Sequence, residues 1–138
     1  REWSTSALGK DQAGWDWFSL QFNNGHDLMF YQLRKQSGEA DQVHSQGKWI
    51  AAAASTQNLS LKDLQLKPVK YWQAKSGTNY PISWELSYPA VNGHWRIEAV
   101  VENQLMETSV VYWEGAVRVI ELESGKQVGQ GYLELSGY

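Results

Sequence analysis

The chain has 138 residues, of which 42% are apolar, enough for one domain with a hydrophobic core. Its formal net charge is -3, from 12 basic and 15 acidic side chains without a basic run, which argues against nucleic acid as the main partner. Cysteine is absent, which excludes disulfides and a cysteine nucleophile, and no apolar stretch approaches the roughly 20 residues of a transmembrane helix.

Eight tryptophans and seven tyrosines occur in short tracts in which polar and apolar residues alternate. Aromatic residues at period-two spacing are typical of β-strands. Side chains of this size either fill a wide enclosed space or line one, and the interior of a β-barrel serves both purposes. The composition therefore favours an all-β barrel that encloses an apolar ligand.

The clearest predicted element is a hairpin over residues 15–34, in which two alternating strands flank Asn24-Gly25. A two-residue type I′ turn suits this dipeptide, because both central residues need a positive φ. Such a turn pairs Phe18 with Tyr31 on a mostly apolar face. The opposite face would then carry Trp15, Trp17, Ser19, Gln21, Leu28, Phe30, Gln32 and Arg34.

Further short strands are predicted at residues 45–54, 82–88 and 94–102. Residues 59–66 have an ambiguous period, and residues 59–63 fit one short helical turn before a strand toward Tyr71-Trp72. About eight strands with turns at short intervals and no βαβ rhythm indicate an antiparallel barrel or a sandwich. No repeat or linker divides the chain, so residues 1–138 are predicted to form one domain.

A long final hairpin is predicted around Ser124-Gly125. A two-residue loop at this turn would place Gly115 opposite Glu134. Because glycine has no side chain, this pairing would leave room for the carboxylate or for a ligand.

Metal sites and nucleophilic catalysis find little support in the sequence. His26, His44 and His94 are not spaced as metal ligands, either with one another or with carboxylates. No nucleophile elbow and no phosphate-binding loop occurs. We therefore expect no metal and no cofactor.

Four acids lie inside strongly apolar or aromatic strands: Asp16, Glu98, Glu114 and Glu134. Burial disfavours the charged form of a carboxyl group, so such an acid can donate a proton, which suits hydration or cyclisation of an alkene. Each acid could equally face solvent or pair with an arginine. Glu134 is the candidate catalytic residue, because it has space opposite and the neighbouring Trp113 and Tyr132 would desolvate it.

Most of the tryptophans and tyrosines are expected in the core, since aromatic residues dominate core burial. Trp15 and Trp17 differ, because the residues predicted on their face include serine, glutamine and arginine. Such a face suits a wet cavity, a buried polar network or an outer surface that meets another domain. The candidate ligand-binding residues are Trp15, Trp17, Tyr31, Trp113 and Tyr132.

Five segments occur in an order that resembles the C-terminal half of the AttH-like family, related to the carotenoid 1,2-hydratase (CrtC) group. They are Gly14-Trp15-Asp16-Trp17-Phe18-Ser19-Leu20-Gln21, Leu28-Met29-Phe30-Tyr31-Gln32-Leu33-Arg34, Tyr80-Pro81-Ile82-Ser83-Trp84, Tyr112-Trp113-Glu114-Gly115-Ala116-Val117 and Gly131-Tyr132-Leu133-Glu134-Leu135-Ser136-Gly137-Tyr138. The resemblance implies an antiparallel lipocalin-like (calycin) β-barrel. It also implies a second, N-terminal lipocalin-like domain in the same protein, and a periplasmic or secreted location that includes lipid anchorage through the N-terminal part.

Hydratases and cyclases with this two-barrel build handle hydrophobic polycyclic or isoprenoid molecules. The resemblance implies an acid near the strand that corresponds to residues 30–33, where this chain keeps Tyr31 but has Leu33 at the expected position of the acid. Arg1-Glu2-Trp3 likewise lacks the histidine that the resemblance implies beside this tryptophan. These departures favour ligand binding over hydration.

Three functions remain open from the sequence. The first is a binding module for a lipid, an isoprenoid or a similar apolar molecule. The second is a hydratase, lyase or cyclase that uses a buried acid on an alkene. The third is a scaffold barrel that supports the N-terminal domain.

Overall fold

A computed structural model describes residues 8–108 and 111–138, and within them the chain forms ten β-strands and one short 3₁₀ helix. The strands are β1 (Gln12–Phe22), β2 (Asp27–Lys35), β3 (Gln46–Ile50), β4 (Thr56–Ser60), β5 (Gln65–Gln73), β6 (Asn79–Tyr88), β7 (Gly93–Ala99), β8 (Leu105–Glu107), β9 (Val111–Glu121) and β10 (Gln127–Ser136). The 3₁₀ helix, Pro89–Val91, connects β6 to β7. None of the helical structure in these two ranges is long and apolar enough to cross a membrane.

All the strands belong to one antiparallel sheet in the order β4-β3-β2-β1-β10-β9-β7-β6-β5, and β8 pairs with β9 beside β7. Four strands separate β3 from β7 in this order, yet Trp49 of β3 stacks on Trp95 of β7 with ring centroids 6.3 Å apart. Phe18 of β1 likewise meets Trp84 of β6 edge to face at 5.4 Å. The sheet therefore curls into a half-barrel whose two halves face each other, with β4 and β5 as its edges, which confirms the predicted antiparallel, lipocalin-like all-β fold.

The inner face of the curled sheet carries the hydrophobic core. On β1, Phe18 and Leu20 are fully buried, whereas Trp17 and Ser19 are only partly covered, as period-two alternation requires. Burial of each large apolar side chain contributes about 1.5–3 kcal/mol, so this layer is the main source of stability. Other fully buried members are Phe30, Leu86, Ile97, Trp113, Val119, Leu133 and Leu135.

The β1–β2 turn has three residues, Asn23-Asn24-Gly25, and the predicted two-residue turn is wrong. The Phe22 amide donates to the His26 carbonyl at 2.8 Å, and the Gly25 amide donates to the Phe22 carbonyl at 3.0 Å. Gly25 has a φ of 82°, as the last position of such a turn requires. The extra loop residue shifts the register of the hairpin by one.

This shift exchanges the two faces of β2 relative to the prediction. Phe18 pairs with Phe30 rather than with Tyr31, which lies beside Trp17 on the outer face. Asp16 pairs with Gln32 on the inner face. Of the polar residues predicted beside the two tryptophans of β1, Gln32 and Arg34 therefore lie on the inner face, whereas Ser19 and Gln21 share the outer face with the tryptophans.

The β9–β10 hairpin also differs from the prediction by one residue. Glu121 and Lys126 close its turn with a hydrogen bond of 2.9 Å, and a bulge follows between Gln127 and Gly129. As a result Gly115 pairs with Leu133, and Glu134 pairs with Glu114. The predicted pairing of Gly115 with Glu134 is wrong, and with it the argument that glycine leaves space for this acid.

Replacing Gly25 by valine is expected to destabilise the protein by about 1–3 kcal/mol, because a β-branched residue pays heavily for a positive φ. Its Cβ would also lie 3.2 Å from the Ala52 methyl. Urea unfolding measures the loss. Gly25→Asn is the control and should lose less, since asparagine tolerates this backbone region, so equal losses for both variants would contradict the turn assignment.

Candidate functional site

One end of the barrel has a cleft with a volume of about 390 Å³. It lies beside the β1–β2 turn and the 3₁₀ helix. Its apolar lining consists of Phe22, Trp49, Val91, Trp95 and Val128, and its remaining lining consists of Asn23, Asn24, His26, Asn92, Gly93 and the acidic residue Glu121. We call this space the aromatic cleft. Clefts with an apolar lining and a few polar groups are the usual form of small-molecule sites.

The rings of the aromatic cleft hold one another in place. Trp49 stacks on the His26 imidazole at 5.1 Å on one side and approaches the Tyr88 ring at 5.4 Å. Phe22 lies 4.8 Å from Trp95 and 5.5 Å from Trp49. Because these residues come from four strands and one turn, the cleft is a product of the curled sheet, and its aromatic wall is held in place by ring-ring contacts.

The opposite end of the barrel contains a buried acid. Asp16 is fully buried on the inner face of β1. Its Oδ1 accepts a hydrogen bond from the Tyr138 hydroxyl at 2.5 Å, and its Oδ2 accepts one from Gln32 Nε2 at 3.1 Å. Arg34 Nε lies 3.3 Å from the same Oδ2. Asp16 is thus one of the four acids singled out in the sequence, and the structure places it inside.

Burial raises the pKa of Asp16 above its ordinary value, although the Arg34 guanidinium and the hydrogen bonds from Tyr138 and Gln32 act in the opposite direction. Burial and the Asp16 carboxylate also raise the pKa of the Tyr138 hydroxyl. The Tyr138 hydroxyl is therefore the proton donor in its contact with Asp16.

The outer face of β1, β2 and β10 brings together five of the six residues that the sequence nominated. In the register of the sheet, Trp17 lies between Tyr31 and Glu134, with Trp15 and Tyr132 in the adjoining rows. The Trp15 indole Nε1 donates a hydrogen bond of 2.6 Å to Glu134 Oε1. We call these five residues the outer aromatic face.

Glu134 is an acceptor within this face. It lies directly opposite Glu114 on β9. Burial raises the pKa of Glu134, the bond from Trp15 lowers it, and the charge of Glu114 raises it further. The same two carboxylates, together with burial, raise the pKa of the Tyr132 hydroxyl. The contacts of Glu134 are those of a structural hydrogen-bond partner on an acidic, aromatic surface.

Trp113 is separate from the other nominated residues. It is fully buried on the inner face, and its indole Nε1 donates to the Glu102 carbonyl at 2.7 Å. Next to it, the space above Gly115 is filled by the Gln104 side chain, which a Cβ at position 115 would strike. Gln104 accepts a hydrogen bond of 2.9 Å from the Ala116 amide. Trp113 and Gly115 therefore belong to core packing.

His26 and His44 lie in different parts of the fold. His26 lines the aromatic cleft, and His44 binds Asp41 through Nδ1 at 2.9 Å in the loop after β2. No three histidine, aspartate or glutamate residues within 8–108 and 111–138 gather as metal ligands. Arg1 and Trp3, which the sequence analysis compared with a hydratase motif, lie outside the described residues.

The sequence analysis missed the aromatic cleft. Trp49 and Trp95 each lie on the inner face of a short strand, but the contact between them crosses four strands of the sheet. Local alternation predicts the face of each residue and carries no information on which strands meet across the barrel.

The model of the AttH-like family matches residues 1–138. An AttH structure from Nitrosomonas europaea is similar, with 27% sequence identity over 99% of this chain and a TM-score of 0.84. Kievitone hydratase from Nectria haematococca shares the fold, with 18% identity over 99% of this chain and a TM-score of 0.72. The chain spans 42% of each of these two proteins. No curated protein matches it.

Replacing Glu134 by glutamine is expected to change how stability depends on pH. Folding raises the pKa of Glu134, so its contribution is largest below the ordinary carboxyl pKa and is lost as the pH rises through the folded value. Glu134→Gln should therefore gain stability relative to wild type between about pH 4 and about pH 7. Urea unfolding at both pH values measures the gain.

The exposed Glu123→Gln controls for the loss of one negative charge from the chain. An equal gain in both variants would attribute the effect to net charge and would contradict the assignment to the environment of Glu134.

Proposed function

Because the chain belongs to the AttH-like family, we propose that it binds an apolar small molecule of the lipid or isoprenoid class in the aromatic cleft. The observation that carries this proposal is the stack of Trp95, Trp49 and His26 at the open end of an otherwise filled barrel. Rings that are already fixed by stacking and still border a cleft offer a rigid apolar wall to a ligand at little cost in conformational entropy.

The size of the cleft limits the ligand. A volume of about 390 Å³ lies near the lower end of the range for small-molecule sites, which suits one or two rings or a short isoprenoid chain. Burial of roughly 200 Å² of apolar ligand surface would supply about 5 kcal/mol before the cost of immobilisation. The expected affinity is therefore modest, and the polar groups of Asn24 and Asn92 at the cleft would orient a ligand that carries an oxygen.

Titration with β-ionone, a small ring-containing isoprenoid, is expected to change the tryptophan fluorescence of the wild-type protein. Trp49→Leu should weaken this binding about two- to tenfold, because one aromatic contact is worth about 0.5–1.5 kcal/mol beyond its area. Leucine keeps an apolar side chain at the position, and far-UV circular dichroism checks the fold. Calorimetric titration measures affinity independently of the missing fluorophore.

Trp17→Leu provides the comparison on the outer aromatic face. If the ligand binds at the outer aromatic face, Trp17→Leu should weaken binding more than Trp49→Leu does. This is the outcome expected from the sequence prediction of Trp15, Trp17, Tyr31 and Tyr132 as ligand-binding residues. The proposal for the aromatic cleft requires the reverse order. A wild-type protein that binds neither β-ionone nor oleate would end both.

A second candidate function is hydration of an alkene, and the burial of Asp16 favours it. A protonated Asp16 would give its proton to one alkene carbon, and water would add to the cation at the other carbon. The proton lost by that water would return to Asp16, so the residue ends as it began. The raised pKa of Asp16 supports this role, and the ion pair with Arg34 opposes it.

Hydration is tested with farnesol as the alkene, with the gain of one water followed by mass spectrometry. The hypothesis expects product from the wild-type protein and none from Asp16→Asn. Glu134→Gln tests the acid nominated from the sequence in the same assay. Melting temperatures of both variants separate lost chemistry from lost folding, and a wild-type protein without product removes the enzymatic candidate.

The outer aromatic face supports a further part of the proposal, contact with an N-terminal lipocalin-like domain. Trp15 and Trp17 lie on the outside of the barrel, and the two solved relatives are more than twice as long as this chain. We assign this face to the contact with that domain. The family resemblance also supports a periplasmic or secreted location.

A further inference from the structure

Tyr138 lies against a group of side chains that belong to three other strands. Its hydroxyl bonds to Asp16 on β1 at 2.5 Å. The guanidinium carbon of Arg34 on β2 lies 3.8 Å from the centre of its ring, and the Tyr80 ring on β6 lies 5.7 Å away. Together with Gln32 on β2, these residues form what we call the Tyr138 site. Strand pairing fixes the backbone of all four residues, and the Arg34 guanidinium is also held by a hydrogen bond to the Ser136 carbonyl at the end of β10.

Gly137 connects Tyr138 to β10. This strand ends at Ser136, and 38% of the Tyr138 surface is exposed. The chain turns inward at Gly137, where φ is 72° and any Cβ would collide with the Ala13 carbonyl. The ladder between β1 and β10 ends at the pair Trp15–Ser136, so rotation at Gly137 moves Tyr138 without breaking a ladder bond, at the cost of the hydrogen bond of 3.3 Å from Arg34 Nη1 to the Gly137 carbonyl.

The Tyr138 site presents one group that suits the hydroxyl of a phenol and another that suits its ring. Gln32 and Arg34 occupy Oδ2 of Asp16, which leaves Oδ1 for a hydroxyl donor. A buried carboxylate oxygen without a hydrogen-bond donor destabilises the protein. When Tyr138 leaves, Oδ1 of Asp16 is therefore free to accept a hydrogen bond from another hydroxyl group. The guanidinium of Arg34 attracts the face of an aromatic ring. A saturated alcohol satisfies only the first requirement, and a plain aromatic hydrocarbon only the second.

We propose that the Tyr138 site binds small phenols, and that Tyr138 is an internal competitor that such a ligand displaces by rotation about Gly137. A side chain on a short tether competes at an effective concentration of the order of millimolar. Removal of Tyr138 therefore increases the affinity for a free phenol. This site lies at the opposite end of the barrel from the aromatic cleft, so the inference does not rest on the function proposed for that cleft.

Titration calorimetry with 4-methylphenol tests the proposal on the whole chain. Tyr138→Ala is expected to bind 4-methylphenol at least ten times more tightly than the wild-type protein does. It should also prefer 4-methylphenol to toluene, which has the same ring without the hydroxyl. Tyr138→Phe keeps the ring but frees Asp16, so its affinity for 4-methylphenol should lie between those of wild type and Tyr138→Ala.

Tyr112→Ala is the matched control, since it removes a tyrosine from the outer side of β9 and should leave the affinity at the wild-type value. Equal affinity of wild type, Tyr138→Ala and Tyr138→Phe for 4-methylphenol would overturn the proposal. Equal binding of toluene and 4-methylphenol by Tyr138→Ala would also overturn it, because the site would then be an apolar cavity without recognition of the hydroxyl. If Tyr138→Ala does not fold, the comparison of Tyr138→Phe with wild type decides alone.

Discussion

The register of the β1–β2 hairpin determines which chemistry faces the inside of the barrel. Side chains alternate between the two faces of a sheet. The register between two paired strands therefore decides which residues of the two strands share a face. The three-residue turn that ends at Gly25 brings Asp16, Gln32 and Arg34 to the same side as Phe18. A turn one residue shorter would put Asp16 opposite Leu33, and the buried carboxylate would lose its amide partner and its counter-charge.

The filled middle of the barrel separates two ends with different chemistry. Phe18 and Trp84 meet across the interior at 5.4 Å, and fully buried aliphatic side chains surround them. At one end the rings of Trp49 and Trp95 border a cleft, whereas at the other a carboxylate, an arginine and a tyrosine form a closed polar group. A ligand that fills a whole barrel does not fit this architecture, so apolar recognition and acid chemistry have to be considered at separate places.

Much of this fold could be predicted from the sequence, because alternation and turn residues are local signals. The antiparallel all-β class followed from them, as did the strand toward Tyr71-Trp72, seen as β5 (Gln65–Gln73). The helical turn predicted at residues 59–63 is wrong, because Leu59 and Ser60 belong to β4 (Thr56–Ser60). The register could not be predicted, since Asn24-Gly25 fits both a two-residue turn and the last two positions of a three-residue turn. For the same reason Asp16 could be recognised as an acid in an aromatic strand, but its partners could not be named.

The arrangement of charges at the outer aromatic face is not explained by the stability of this chain alone. Like charges directly opposite each other on a sheet are destabilising, and Glu114 and Glu134 are placed in this way among partly covered aromatic rings. The Trp15 indole offsets part of this cost by donating to Glu134, but both acids still disfavour ionisation of Tyr132. A solvent-exposed scaffold gains nothing from such an arrangement. An acidic, aromatic surface of this kind is stabilised when a neighbouring surface supplies hydrogen-bond donors or positive charge, and this is the physical reason for proposing that it contacts another domain.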